Sequence, residues 1–94
     1  MLLETLDDFV QQVAQALENV VAVLREAGAG PEHVTRMTWY ITDRAAYLGS
    51  AREIGQAYRS VFGKHFPPMS AVIVAGLVES RARVEIEVTA VVPE

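Results

Sequence analysis

The chain has 94 residues, half of them apolar and a fifth charged, which predicts one globular domain over residues 1–94 with a single modest core. Twelve acidic residues against eight basic ones give a formal charge of -4, with no dense basic patch, so binding to a nucleic-acid backbone is disfavoured. There is no cysteine, which excludes disulfides, thiolate metal sites and thiol nucleophiles and fits a reducing compartment.

Thr5 is placed to open the first helix, with Asp8 three residues later in an acidic variant of the capping box. Leu6, Phe9, Val10, Val13, Leu17, Val20, Val21 and Leu24 recur at helical spacing, while Gln11, Gln12, Gln15, Glu18 and Arg25 mark the wet side. Gly28 supplies the stop, and Gly30-Pro31 prevents resumption. From His33 to Ile41 the period becomes two, with Met37, Trp39 and Ile41 on one face and Arg36, Thr38 and Tyr40 on the other. Thr42-Asp43 offers capping oxygens for a second helix with the stripe Tyr47, Leu48, Ala51, Ile54, Tyr58, Val61 and Phe62, ending near Gly63. Within it, Gly49-Ser50 followed by Glu53 marks either a kink or a fresh start.

Pro67-Pro68 ends any helix, since neither residue has an amide donor. An apolar strand is predicted from Met69 to Leu77, and an alternating one from Arg81 to Val92. In the latter Glu85 and Glu87 lie on the polar face, and Val84, Ile86 and Val88 on the apolar face. The order helix, strand, helix, strand, strand implies an α/β (α+β) sandwich with both helices on one face of the sheet. Ser70, Val72, Val74 and Gly76 then fall on the uncovered face, opposite Met69, Ala71, Ile73, Ala75 and Leu77. A strand apolar on both faces normally has both covered, and too little chain remains to do so. A second copy is therefore expected to cover the open face. No apolar run reaches membrane-spanning length and the N-terminus turns acidic at Glu4, so no membrane partner and a cytoplasmic location are expected.

ALENVVAVLREAGAGPEHVTRMTWYITD, then AYRSVFGKHFPPMSAV, then RVEIEVTAVV, together resemble the RidA/YjgF/UK114 (Rid) family, from about Gln11 to the C-terminus. The resemblance implies a chorismate-mutase-like sandwich, a homotrimer with clefts between neighbouring subunits, and hydrolysis of reactive enamines and imines to ketoacids with release of ammonia. It implies that Glu85 positions the attacking water, and that Met69, Ser70 and Ala71 contact the small-molecule ligand. Four features depart from the family pattern. The β-hairpin that precedes the first helix in the family is missing, leaving the expected domain N-terminally short. Met69 stands where active deaminases carry the Arg that clamps a substrate carboxylate, Ala71 where a Cys is common, and Gly55 near a family Asn.

Loss of a bidentate guanidinium–carboxylate contact in a cleft costs on the order of 2–5 kcal/mol, so the expected ligand is more apolar or uncharged. Met69 as a gap-filling side chain and Glu85 as a solvated strand residue are the plain structural alternatives. Arg36, Arg81 and Arg83 could supply a displaced anion clamp, or be solvated or paired. His33 and His65 lack ligand-spaced partners, and AGAG at residues 27–30 follows a helix, so neither a metal nor an organic cofactor is expected. Three functions remain open: an imine or enamine hydrolase of altered specificity, a silent metabolite-binding or regulatory protein, and an endoribonuclease or translation inhibitor. The last is opposed by the acidic charge.

Overall fold

The computed structural model describes residues 8–94. Helix α1 runs Phe9–Glu26. Its N-cap is Asp8, whose Oδ1 accepts from the backbone N–H of Val10 at 2.8 Å and of Gln11 at 3.2 Å. The predicted opening at Thr5, and Leu6 of the predicted stripe, lie outside the described residues. Phe9, Val13, Leu17, Val21 and Leu24 form the buried face at steps of four, four, four and three. Past the cap at Ala27 the chain turns at Gly28, whose φ of 78° is the left-handed region that a side chain disfavours. The Ala29 N–H then reaches the Leu24 carbonyl and the Gly28 N–H the Arg25 carbonyl, satisfying two orphan acceptors of the last turn.

A 3-10 turn over Pro31–His33 delivers the chain to β1, Val34–Ile41. There the Gly30 N–H donates to His33 Nδ1 at 2.9 Å. Thr35 is an extra residue in the ladder to the C-terminal strand, so burial passes from Val34 to Met37 before the predicted alternation with Trp39 and Ile41 takes hold.

The second helical stretch is a fresh start. Helix α2, Arg44–Gly49, is capped by Asp43, whose Oδ1 accepts from the Ala46 N–H at 3.0 Å. Helix α3, Ala51–Phe62, begins after Ser50 and buries Ile54, Tyr58 and Phe62 before stopping at Gly63, φ 61°.

Strand β2 runs Met69–Ile73 parallel to β1, and β3, Val84–Ala90, runs antiparallel on the other side, giving the order β2-β1-β3. Both strands are shorter than their apolar patterns predict. The cause is β1, which ends at Ile41 paired with Ile73 and Val84; past them there remain only the backbone bonds from the Val74 N–H to the Ile41 carbonyl at 2.8 Å and from the Thr42 N–H to the Arg83 carbonyl at 3.1 Å. The chain from Arg81 to Arg83 is also held by Gln12, whose Nε2 donates to the Arg81 carbonyl at 3.1 Å and whose Oε1 accepts from the Arg83 N–H at 2.8 Å. Gln12 was expected on the wet face. It is 5% exposed, and its amide substitutes for the missing strand partner.

Helices α1 and α3 cover the face carrying Met37, Trp39, Ile41 and Val84, which confirms the expected sandwich with the helices on one side. Their cover stops short of β2, where all five residues are exposed, with Met69 at 43%, Val72 at 39% and Ile73 at 43%. The strand expected to be buried on both faces is bare on both within one chain. It is an edge strand, and the helices span only its neighbours.

Candidate functional site

The turn into β2 is built from aromatic rings. Tyr58 lies between Phe62 and Phe66 on stacked planes, with centroids 5.1 and 5.3 Å away. Its hydroxyl donates to the His65 carbonyl at 2.6 Å, and His65 Nε2 lies 2.8 Å from the Val34 carbonyl. These contacts tie the loop before Pro67 to both α3 and β1, and burial raises the Tyr58 pKa above the usual phenol value. Trp39 meets the Tyr47 ring edge-on at 6.4 Å, and its indole N–H points at the Met37 sulfur at 3.2 Å.

Between these rings lies a cavity of about 370 Å3, floored by Trp39, Ile54 and Tyr58, flanked by Tyr47 and Phe66, with Met69 and Arg59 also lining it. The thioether of Met69 therefore adds a polarizable, apolar wall to an aromatic pocket. Gly55, which stands near the family Asn, lines the same cavity.

The strand register divides the remaining candidates between the two faces of the sheet. Met69 and Ala71 pair with Met37 and Trp39, and so lie on the helix side. Ser70 pairs with Thr38 and Glu85 with Tyr40, so both lie on the open face. Met69, Ser70 and Ala71 are thus neighbours along one strand, but Glu85 does not share a face with Met69 in one chain. All four are exposed.

The open face carries negative charge. The Tyr40 hydroxyl donates to Glu87 at 3.3 Å, and its pKa is raised, first by the charge of Glu87 and then by desolvation, that hydrogen bond and the charge of Glu85. The cross-strand phenol of Tyr40 is thus a partner of Glu87. The arginines considered for a displaced clamp have partners. Arg83 reaches Asp43 at 3.4 Å and lies 5.6 Å above the centre of the Phe9 ring, and Arg36 Nε donates to Thr89 at 3.4 Å. Arg81 also has a partner. Among the described residues no cluster of three potential metal ligands occurs, and no helix is long and apolar enough to cross a membrane.

Three residues of consequence escaped the sequence patterns: Gln12, Gly55 as pocket lining, and Arg59. The i, i+4 spacing of Gly55 and Arg59 on α3 was the available signal for the last two.

A βαβ unit extended by an antiparallel strand, with a long helix packed over it and an open pocket at the parallel edge, defines a YjgF-type α+β sandwich. Residues 3–92 match the family model described as Endoribonuclease L-PSP, and the chain belongs to this family, known also as RidA, YjgF or UK114. It is 36% identical over 87 residues to a RutC family protein of Aquifex aeolicus, covering 90% of this chain and 66% of that protein. It is 38% identical over 77 residues to the RutC family protein UK114 of Drosophila melanogaster, covering 82% and 52%. The chain thus spans between about half and two thirds of these relatives.

A crystal structure of a YjgF/YER057c/UK114 family member from Mycobacterium tuberculosis superposes with a TM-score of 0.77 at 36% identity, covering 92% of this chain and 70% of that one. E. coli TdcF with bound serine superposes at 0.74 with 34% identity, covering 89% and 65%.

Proposed function

We propose that the chain assembles as a homo-oligomer, a homotrimer by its family resemblance, and that its subunits close a small-molecule cleft at the β2 edge. The Met69 pocket of one copy and Glu85 of the next form the two halves of this cleft. The observation that carries this reading is the placement of Met69 and Glu85 on opposite faces of one sheet, together with the exposure of all five β2 residues. A ligand touching both must lie between two copies. The serine bound in the TdcF relative supports a small-molecule site in this fold.

The chemistry proposed is hydrolysis of an imine or enamine of altered specificity. The Glu85 carboxylate accepts a proton from water as the water oxygen attacks the C=N carbon. That proton passes to nitrogen to give a carbinolamine. Its hydroxyl proton is then relayed to the amine through the same carboxylate as the C–N bond breaks and the C=O bond forms, and a carbonyl product and ammonia leave. An endoribonuclease reading has less support, since the open face carries Glu85 and Glu87 and the chain has a net charge of -4.

The test is hydrolysis of imines generated in situ by an amino-acid oxidase and, without a carboxylate, by an amine oxidase, followed as carbonyl product and ammonia. Glu85→Gln should slow turnover by about 10²–10⁴-fold while the native mass stays unchanged. A wild-type chain that does not exceed the spontaneous rate would sink the hydrolase reading. Equal rates for Glu85→Gln and wild type would remove Glu85 from the chemistry, and retained binding without turnover would indicate a binding protein.

A further inference from the structure

The cavity beside β2 has apolar and aromatic walls, with a single charged side chain, Arg59, among its lining residues. Arg59 sits one helical turn beyond Gly55 on α3, and side chains on a helix lean back toward its N-terminus. Gly55 makes room for it: a Cβ at that position would lie 3.2 Å from one terminal guanidinium nitrogen and 3.9 Å from the other and from the central carbon. That is tighter than an ordinary van der Waals contact, so a Cβ at position 55 would shift the guanidinium by a few tenths of an ångström, and a long side chain there would compete for its place. Among the described residues, no carboxylate pairs with Arg59. Among the described residues, a cation without a carboxylate partner therefore borders an aromatic pocket, in a chain whose net charge is negative.

We propose that Arg59 is the anion-recognising residue of this pocket, and that the ligand is a carboxylate with a bulky apolar or aromatic body. The body fills the space bounded by Trp39, Tyr58, Phe66 and Met69, and the carboxylate meets the guanidinium in a charge-assisted contact. A volume of about 370 Å3 suits a metabolite of modest size. The sequence pattern pointed to an uncharged ligand because Met69 occupies the position of the family's clamping Arg. The structure instead assigns a cation to the same pocket from a helix, four residues after a glycine. The inference rests on this pocket being the ligand half of the proposed cleft, and it narrows the altered specificity to acids with a large side group.

Trp39 is the one tryptophan in the chain and lines the cavity, so its fluorescence reports occupancy. The full chain is titrated with phenylacetate and with phenylacetamide, its uncharged counterpart of nearly the same shape. The carboxylate should bind about tenfold or more tightly than the amide. Arg59→Gln should abolish that preference while leaving amide binding in place, Arg59→Lys should keep part of it, and Gly55→Leu should reduce it by displacing the guanidinium. Circular dichroism checks that each variant is folded, as expected for substitutions at an exposed Arg59.

Equal affinity for the two ligands, or a preference that survives in Arg59→Gln, would overturn the role of Arg59 and leave the cleft reading standing. No response to either ligand at millimolar concentration would overturn both. The double variant Arg59→Gln/Met69→Arg separates these outcomes further, because a guanidinium returned from the opposite wall should restore preference for the acid only if the pocket is the binding site.

Discussion

Replacing Gln12 with leucine tests whether a glutamine on a helix can hold a chain segment that no strand can reach. In the native fold its amide bonds this segment at two points, at 3.1 Å to the Arg81 carbonyl and at 2.8 Å from the Arg83 N–H. Each is worth about 0.5–1.5 kcal/mol net, and a partly buried backbone group left without its partner adds about 1–3 kcal/mol. The leucine regains some of this through apolar burial, so a net loss of about 2–4 kcal/mol is expected. For a domain of this size that corresponds to a fall in melting temperature on the order of 10–20 °C.

The same substitution at Gln11, which is exposed and one position away, should change the melting temperature by no more than about 3 °C. Thermal unfolding of both variants and wild type at one protein concentration makes the comparison, since any oligomer makes stability depend on concentration. Equal melting temperatures for the Gln11 and Gln12 variants would refute the reasoning. A local probe is available too: Arg83 stacks over Phe9 and reaches Asp43, so amide exchange at residues 81–83 should accelerate selectively in Gln12→Leu.

Two further outcomes follow from the same structure. Val72 lies on the open face of β2 at 39% exposure, and Val72→Asp should convert a native oligomer into a monomer in light scattering. A wild-type monomer at micromolar concentration would show that no second copy covers the strand. Asp43 has its pKa lowered, first by the hydrogen bond from the Ala46 N–H and then by Arg83, while desolvation opposes them. Its stabilising contribution should therefore be present above the unfolded carboxyl value of about 4 and be lost as pH falls through the lower folded value. Asp43→Asn keeps the cap acceptor but removes the charge, so the difference in urea midpoint between wild type and variant should shrink from pH 7 to pH 3. An unchanged difference would show that the Asp43 charge does not contribute.

Element type was legible wherever one face of an element alone meets the core. The α1 stripe, the alternation of β1 and the break at Pro67-Pro68 each express a period that the sequence carries directly. Lengths were less legible, because a strand ends where its partner ends. Val74 to Leu77 and Arg81 to Arg83 have strand-like composition, yet β1 turns into α2 after Ile41 and offers them no continued ladder. Of its backbone they meet only the Ile41 carbonyl, bonded to the Val74 N–H, and the Thr42 N–H, bonded to the Arg83 carbonyl. Gln12 looked like a solvated polar residue, since polarity on a helix gives no sign of whether distant backbone groups await it.

By itself the sequence determined two amphipathic helical regions, three strands, their order and hence the sandwich, because periodicity dictates which face of each element must leave water. It also carried the family likeness through Phe66-Pro67 and the VEIE run. Only the tertiary structure decided how these faces relate. Pairing through β1 set Met69 on the helix side and Glu85 on the open side, and the short reach of the helices left β2 bare. Folding α3 beside the turn into β2 brought Arg59 to the pocket that Met69 lines. Register and packing are relations between segments far apart in the chain, and no local pattern encodes them.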